Sequence, residues 1–346
     1  MRRKKQSGSP LRLGFVPLAD CAPIAMAREL GLFAKYGIEV ELKREVGWAT
    51  IRDKIIYGEL EAAHAPAGMV VAATLGLGSI QTECLTGLVI NLHGNAITLS
   101  QKLWSAGVHD GKSLREEIEL QRGKKRFVFG AAFTSSSHNF LLRLWLRAHG
   151  ILADRDVQIV VVPPPQMCAN LKGGHLDGYC VGEPWNSLAV MSKIGWVAAT
   201  SAELSPSHVE KILMVRRTFA EEREIEHLAL IAALVEACRF CDQPQNRDRI
   251  IETLAQPEYV GAPVQALRMS MKGTFDFGNG RNEKCADFHV FSRYGANEPT
   301  AEKASWVVQS LRDSGVLLDP TAIAPGGLPQ MFRTDIFHKA TQLIQP

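Results

Sequence analysis

The sequence contains no apolar run long enough to cross a membrane and almost no excess of charge. A membrane-spanning helix needs about 18 consecutive apolar residues, and every apolar run here is shorter. The chain has 39 basic and 36 acidic residues, and residues 2–5 supply four of the basic ones, so without them 35 basic residues face 36 acidic ones. Since no basic stripe with interleaved aromatic residues is present, we expect neither a membrane span nor a nucleic-acid-binding surface.

Motifs of the common enzyme classes are missing as well. Ser135, Ser136, Ser137 and His138 are adjacent in the sequence. However, no G-x-S-x-G turn, phosphate-binding loop or metal-spaced set of His, Cys and Glu residues accompanies them. We therefore expect a protein without catalytic residues, bound metal or cofactor.

The seven cysteines are an odd number and are scattered through apolar segments. This pattern is typical of buried thiols in a reducing compartment. Cys238 and Cys241 form a C-x-x-C pair, but they lie within a helical pattern (228–241) and have no second pair to complete a metal site. We interpret both as packing residues, and the cysteine usage favours the cytoplasm.

The N-terminus could be mistaken for an export signal, because a basic start precedes the apolar segment 11–27. Leu18-Ala19-Asp20-Cys21 also resembles a lipoprotein cleavage site. Asp20 stands where a small residue is expected, Pro17 and Pro23 interrupt the apolar run, and cleavage would delete a good first strand. The prediction is a cytoplasmic protein, with a periplasmic one as the alternative if the true start lies upstream.

Strand and helix patterns alternate along residues 11–199, which predicts an α/β protein. With 46% apolar and 22% charged residues, a chain of this length can bury two cores. After Thr200 most segments have helical spacing. We predict a disordered basic tail (1–10), a first lobe (11–98 plus 200–346) and an inserted second lobe (99–199), each lobe a mixed sheet flanked by helices.

The stretch 160–186 brings the chain twice to one edge of a sheet. A β-branched strand ends at Pro163-Pro164-Pro165, a helix follows over 167–172, and the strand 176–181 leads into Gly182-Glu183-Pro184-Trp185-Asn186. Helix N-termini at such an edge present free N–H groups, which favours a small anion. The alternative interpretation is an ordinary α/β connection without a ligand.

Four segments carry a resemblance to a known family. They are LRLGFVPLADCAPIAMARELGLFAKYGIEVEL, WATIRDKIIYGELEAAH, VVPPPQMCANLKGGHLDGYCVGEPWN and FDFGNGR. From Leu11 onward the chain resembles the nitrate and bicarbonate receptors of ABC transporters, a branch of the type II periplasmic-binding-protein superfamily. A soluble nitrate/nitrite sensor that acts through an RNA-binding antiterminator belongs to the same branch.

The resemblance implies two lobes that close on a small oxyanion without doing chemistry on it. It places Trp48, Asn95, His138 and Lys211 at the anion site. Asn95 departs from the glutamine of the nitrate receptors, which could reposition the anion or favour the smaller nitrite. Lys211 matches the position where nitrate receptors have lysine and bicarbonate receptors glutamate, and a fixed positive charge favours a monoanion.

Further residues are expected to line the cleft: Ser136, Ser137, Gln166 and Gly182. Glu183 has the wrong charge to touch an anion, so we interpret it as a helix-start or hinge residue. Each site residue also has an ordinary structural interpretation. A lone lysine is most often solvated, a histidine at a helix start is often a cap, and a tryptophan there is often part of the core.

The resemblance leaves several roles open. The main expectation is a cytoplasmic nitrate/nitrite sensor or an ABC-transporter substrate-binding component, with an RNA-binding antiterminator or an ABC permease as partner. The alternatives are an exported nitrate receptor, a protein that binds bicarbonate, an alkylsulfonate or a thiamine-precursor pyrimidine, and an enzyme of that last pathway.

Overall fold

A computed structural model of the chain describes residues 9–319, 321–323 and 326–344. The predicted basic tail therefore lies outside the described residues, except for Ser9 and Pro10. The strands of the first sheet are β1 (Leu11–Phe15), β2 (Val40–Arg44), β3 (Ala62–Pro66), β4 (Cys84–His93), β10 (Val209–Arg216) and β13 (His289–Val290). They lie in the order β13-β4-β10-β3-β1-β2. β1 is parallel to β2 and β3, whereas β10 is antiparallel to β3 and β4, so the sheet is mixed.

The second sheet is also mixed. Its strands are β5 (Asn95–Ser100), β6 (Phe127–Ala131), β7 (Val157–Val161), β8 (Gly178–Gly182) and β9 (Gly195–Thr200), in the order β7-β6-β8-β5-β9. β6 is parallel to β7 and β8, and β5 is antiparallel to β8 and β9. The proposed lobe boundary after residue 98 falls inside β5, which pairs in this second sheet from Asn95 onward.

A small hairpin completes the strands. It consists of β11 (Thr274–Gly278) and β12 (Arg281–Lys284), joined by Asn279 and Gly280, which have φ angles of 51° and 87°. An Asn-Gly pair with both φ angles positive is the preferred two-residue connection between antiparallel strands. The turn-forming residues over 277–282 are typical of a surface loop. The turn is exposed, but Phe277 is buried and lies edge-on to Phe275, so only part of that segment is a surface loop.

The helices flank both sheets. In the first half of the chain they are α1 (Ala22–Glu29), α2 (Leu32–Lys35), α3 (Trp48–Ile56), α4 (Ala67–Leu75), α5 (Gln101–Ser105), α6 (Gly111–Leu120), α7 (Ser137–Ala148), α8 (Met167–Gly173) and α9 (Trp185–Met191). In the second half they are α10 (Ser201–Leu204), α11 (Arg217–Glu222), α12 (Glu224–Asp242), α13 (Arg247–Leu254), α14 (Val264–Met271), α15 (Ala301–Asp313), α16 (Gly327–Met331) and α17 (Thr334–Thr341). Among the described residues, no helix combines the length and the apolar character that a membrane span requires.

The longest helix, α12, explains the C-x-x-C pair. Leu230, Leu234, Cys238 and Cys241 recur at helical spacing and are all fully buried, so they form one apolar face against the first sheet and α1. The Cys238 thiol lies 3.4 Å from the carbonyl oxygen of Ile90, to which it donates. Both cysteines therefore pack in the core of the first lobe, as the helical spacing predicted.

The chain passes from one sheet to the other at two neighbouring places. The first crossing is His93-Gly94, between β4 and β5, with φ angles of 60° and 104°. The second crossing runs from β9 through α10 to β10. The backbone N–H of Asn95 connects the two crossings, because it donates to the hydroxyl of Ser201 at 3.1 Å. A third link is the hydrogen bond of 2.7 Å from the Ala19 amide to the carbonyl of Glu183. Together these links hold the inner edges of the two lobes against each other.

Candidate functional site

An irregularity in β10 places two consecutive charged residues in the same buried region. Side chains normally alternate between the two faces of a strand, but the pairing of β10 with β4 shifts register between Val209 and Ile212. Glu210 and Lys211 are both fully buried, and the Lys211 ammonium donates to Oε1 of Glu210. These two residues form the centre of a buried polar cluster between the lobes.

Asp20 supplies a second carboxylate to the cluster. It lies in the short 3₁₀ turn Ala19–Cys21 after β1, and its Oδ2 is 2.8 Å from Nζ of Lys211. Its Oδ1 is 3.1 Å from Nε2 of His64 on β3. Burial alone would raise the pKa of Asp20, but the ammonium of Lys211 and His64 lower it below its usual range. The same contacts raise the pKa of Lys211 against the opposing effect of burial, so the cluster holds a buried ion pair.

Glu210 is surrounded by nitrogen atoms on both of its oxygens. The amide of Asn95 donates to Oε2 at 2.6 Å, and Nε2 of His208 lies 3.3 Å from the same oxygen. Nε2 of His138, on α7, is 3.6 Å from Oε1. Burial opposes ionisation of Glu210, yet Lys211 and the neighbouring histidines hold its pKa well below the usual range. The carboxylate is therefore charged and well partnered.

Trp48 covers the ammonium from the first lobe. It opens α3, is 1% exposed, and its ring centroid lies 5.4 Å from Nζ of Lys211 and 5.6 Å from the ring of His64. Its indole Nε1 is buried and has no hydrogen-bond partner among the described residues. Buried indole N–H groups normally find an acceptor, so this donor is available to a ligand.

The second lobe contributes the start of α7. Ser136 caps this helix, because its hydroxyl accepts from the amide of Asn139 and donates to the carbonyl of Phe133 at 2.6 Å. Ser135 and Ser137 are buried on either side, and neither hydroxyl has a partner in the described part of the chain. His138 follows in the first turn. Burial and then Lys211 lower its pKa to about 4, so its imidazole is neutral at pH 7.

A second helix start meets α7 across the lobes. α4 begins after Pro66, which pairs with Lys211 in the first sheet. A Cβ atom added at Gly68 would lie only 2.2 Å from the carbonyl oxygen of Ser135. The two lobes are therefore in direct backbone contact here, and only glycine fits. Lys211 and His138 are fully buried, so the lobes are closed over the cluster.

The structure brings the four predicted anion-site residues together. Trp48, Asn95, His138 and Lys211 all lie within the buried cluster, and each is 1% exposed or less. The contact of Asn95 differs from the expectation. Its amide donates to Glu210, which leaves its buried Oδ1 without a partner, so the donor expected for the anion is already used by a carboxylate.

The expected cleft-lining residues divide into three cases. Ser137 is buried, and its hydroxyl has no partner among the described residues. A Cβ atom at Gly182 would lie 3.3 Å from Oδ1 of Asn95, so Gly182 borders the cluster. Ser136 is used as the helix cap. Gln166 is exposed in the 3₁₀ turn Pro164–Gln166, so it is not part of the buried cluster, and its place at the cleft stays a prediction. A polar residue that follows three prolines at a helix start faces solvent here.

Glu183 lies apart from the cluster, as expected for a helix-start residue. Its Oε2 accepts from the amide of Ser187 in the first turn of α9 at 3.2 Å, and its carbonyl forms the link to Ala19. Its Oε1 is buried without a partner among the described residues. Burial raises the pKa of Glu183 to about 7.

The sequence reasoning missed four members of the cluster: Asp20, His64, His208 and Glu210. In the sequence, Asp20 only argues against a lipoprotein cleavage site, and Glu210 is not part of any motif although it precedes Lys211. One signal was present, because the pair Glu210-Lys211 interrupts an otherwise apolar strand, and buried charges need partners or a function. Within the described residues, no group of three or more His, Cys, Asp and Glu side chains could hold a metal ion.

Two lobes of sheets and helices that meet at a buried polar cluster define the two-lobed periplasmic-binding-protein fold. The chain belongs to the NMT1-like family, whose pattern matches residues 4–255. A crystal structure of the periplasmic nitrate-binding protein NrtA from Synechocystis PCC 6803 superimposes with a TM-score of 0.92. It is 27% identical and covers 97% of this chain and 89% of that one.

Two curated relatives are transport ATP-binding proteins. The nitrate import ATP-binding protein NrtC of Synechocystis sp. PCC 6803 is 39% identical over 89% of this chain and 46% of its own length. The bicarbonate transport ATP-binding protein CmpC of Synechococcus elongatus is 37% identical over 87% of this chain and 44% of its own length. The chain thus spans about half the length of these relatives.

Proposed function

We propose that this protein binds nitrate or nitrite by closure of its two lobes, as the substrate-binding component of an ABC transporter. The observation that carries the proposal is the buried ammonium of Lys211 together with buried donors that have no partner in the described part of the chain. These donors are Nε1 of Trp48 and the hydroxyl of Ser137. Nitrate and nitrite accept hydrogen bonds and cannot donate them, so they match these two donors.

The helix geometry supports an anion as ligand. α4 and α7 begin on opposite sides of the cluster, and a helix N-terminus carries unsatisfied N–H groups and a partial positive charge. The neutral imidazole of His138 adds one more donor, because it carries one N–H group. An uncharged donor set with a single lysine suits a weakly basic monoanion better than a multiply charged one.

The transport role is preferred to the sensor role because the relatives described above are named for nitrate or bicarbonate transport and nitrate binding. The partner that follows is an ABC permease and not an RNA-binding antiterminator. Co-purification from detergent-solubilised membranes tests this choice. Recovery with permease subunits supports the transporter component, whereas anion-sensitive recovery with an RNA-binding protein would favour the sensor. The cytoplasmic and periplasmic locations both remain predictions, and cell fractionation distinguishes them.

Isothermal titration calorimetry tests the ligand. Nitrate or nitrite should give heat with the purified protein, and Lys211→Glu should abolish it, because a third carboxylate would replace the only buried cation of the cluster. Lys112→Glu is the matched control, since Lys112 is exposed on α6. Unchanged nitrate binding by Lys211→Glu would contradict the proposed site.

Bicarbonate is the second candidate, and a specific feature favours it. The cluster contains two carboxylates, Asp20 and Glu210, and bicarbonate carries a hydroxyl that could donate to one of them, which nitrate lacks. Glu210 already accepts from Asn95 and Lys211, and Asp20 forms an ion pair with Lys211, so nitrate or nitrite is the preferred ligand. Titration with bicarbonate at constant pH decides the matter, because bicarbonate as the sole ligand would overturn the preferred assignment.

A further inference from the structure

The buried cluster holds more negative than positive fixed charge. Lys211 is its one cation, and it lies between the carboxylates of Asp20 and Glu210. His64 and His138 are neutral at pH 7, because burial lowers the pKa of both. A monoanion that entered this arrangement would add a further negative charge among fully buried groups, which is strongly unfavourable unless a positive charge enters as well.

His208 shows where that positive charge can be held. Its Nδ1 lies 2.8 Å from the carbonyl oxygen of Ser205, and its Nε2 lies 3.3 Å from Oε2 of Glu210. Both neighbours are acceptors. A neutral imidazole has only one N–H group, so it cannot donate to both at once. The closed geometry is therefore satisfied only when one additional proton resides on the Glu210–His208 pair.

The surroundings fix His208 in this position. Its ring lies between His93 and Trp306, with centroids 5.1 Å and 5.2 Å away, and the residue is 1% exposed. His93 cannot supply the proton. Its Nε2 accepts from the amide of Ser207 at 2.8 Å, and burial lowers its pKa to about 4. In the closed lobes both Glu210 and His208 are buried, so we expect the proton to enter before or during closure.

We propose that the protein takes up its oxyanion together with one proton, which the Glu210–His208 pair holds in the closed state. This inference rests on the proposed function. In it, Glu210 does not contact the anion but determines how anion binding depends on pH. The facing charged and titratable groups are Lys211 on β10, His138 on α7, Asp20 and His64 beyond Lys211, and His93 and His289 at the first crossing. Among them, Nε2 of His138 lies 3.6 Å from the other oxygen of Glu210.

Proton uptake is measured directly by titrating wild-type protein with nitrate in two buffers of different ionisation enthalpy at the same pH. The measurement is made at a pH about 1.5 units above the ordinary pKa of a free histidine. The difference between the binding heats in the two buffers should then correspond to about one proton taken up per anion bound. In the same range the nitrate affinity should fall about tenfold per unit rise in pH. Binding with no proton uptake overturns this inference but leaves the proposed function intact. A failure of both nitrate and nitrite to bind overturns both.

The variant Glu210→Gln distinguishes the effect of the proton from the effect of the shape of the site. Glutamine keeps the size of the side chain but is neutral, and its amide can donate to a neutral His208, so no extra proton is needed. We expect the affinity of this variant to be independent of pH in the range where that of the wild type changes.

His227→Asn is the control. His227 is a buried histidine on α12 that is not part of the cluster, and its Nε2 has no partner among the described residues. It should keep the wild-type pH slope. If Glu210→Gln does not fold, the two-buffer measurement on wild type still decides, and a wild-type slope in Glu210→Gln contradicts the inference.

Discussion

Nζ of Lys211 lies 2.8 Å from Oδ2 of Asp20, so the turn after the first strand and the central strand β10 meet as an ion pair inside the protein. The two residues are far apart in the sequence and both are 1% exposed or less. This pair organises the cluster, because Trp48 stacks over the ammonium and Glu210 accepts from it. It also means that the positive charge expected for the anion is already shared with two carboxylates.

Removal of the ammonium should destabilise the fold as well as abolish binding. Lys211→Met leaves Asp20 and Glu210 buried without a cation, and breaking a buried ion pair on one side typically costs about 3–5 kcal/mol. Chemical denaturation followed by circular dichroism measures the loss. Lys112→Met, on the exposed face of α6, should stay within about 0.5 kcal/mol of wild type. An unchanged midpoint for Lys211→Met would show that the cluster does not depend on this cation.

The indole N–H of Trp48 should contribute to binding but not to stability. Trp48→Phe removes a donor that has no protein partner and keeps an aromatic ring near Lys211. One lost hydrogen bond of about 1 kcal/mol corresponds to roughly a fivefold weaker affinity for nitrate. Titration calorimetry measures it, and Trp104→Phe, whose ring packs on Trp196 in the second lobe, is the control. Equal affinities of wild type and Trp48→Phe would place this tryptophan outside the ligand contacts.

Glu183 should make stability depend on pH. Its pKa in the folded protein is about 7, against an ordinary value of 4.5, because burial disfavours the charged form. A pKa that is raised by folding stabilises the folded protein at pH values below the pKa of the unfolded state. This contribution is lost as the pH rises through the pKa of the folded state. Between about pH 5 and pH 8, the free energy of unfolding of wild type should fall by about 3 kcal/mol relative to Glu183→Gln.

A matched acidic residue checks the Glu183 prediction. Glu119 is exposed on α6 and pairs with Arg122, so it is ionised across this range in the folded and unfolded chain. The stability of Glu119→Gln should therefore run parallel to that of wild type from about pH 5 to pH 8. If the curve of Glu183→Gln also runs parallel to wild type, Glu183 is not the titrating group.

Gly94 should tolerate no side chain at the first crossing. Its φ angle is 104°, and a Cβ atom would lie 2.7 Å from Nδ1 of His289. Gly107 has a similar φ of 92° with no atom within 4 Å of the added Cβ, so Gly107→Ala measures the backbone strain alone. We expect Gly94→Ala to be less stable than Gly107→Ala by about 1–3 kcal/mol in denaturant unfolding. Equal losses would show that the contact with His289 relaxes without cost.

Local patterns were sufficient for much of the fold. The apolar and β-branched residues on either side of His93-Gly94 favour extended segments, and the structure has β4 and β5 there. The helical spacing around Cys238 corresponds to the buried face of α12. The hairpin turn at Asn279-Gly280 was visible as turn residues, but burial of Phe277 was not. Burial depends on which elements pack over a strand, and that information is not local.

The sequence by itself determined the α/β class, the family resemblance and four residues that meet in one cluster. It did so because periodicity and motif are properties of neighbouring residues. Tertiary structure alone decided that Asp20 and Glu210 flank the Lys211 ammonium, since one partner comes from a turn that is distant in the chain and the other is turned inward by a bulge in β10. The balance of charge in the site is a property of that three-dimensional arrangement, because the strength of each charge depends on burial and on partners contributed by other elements.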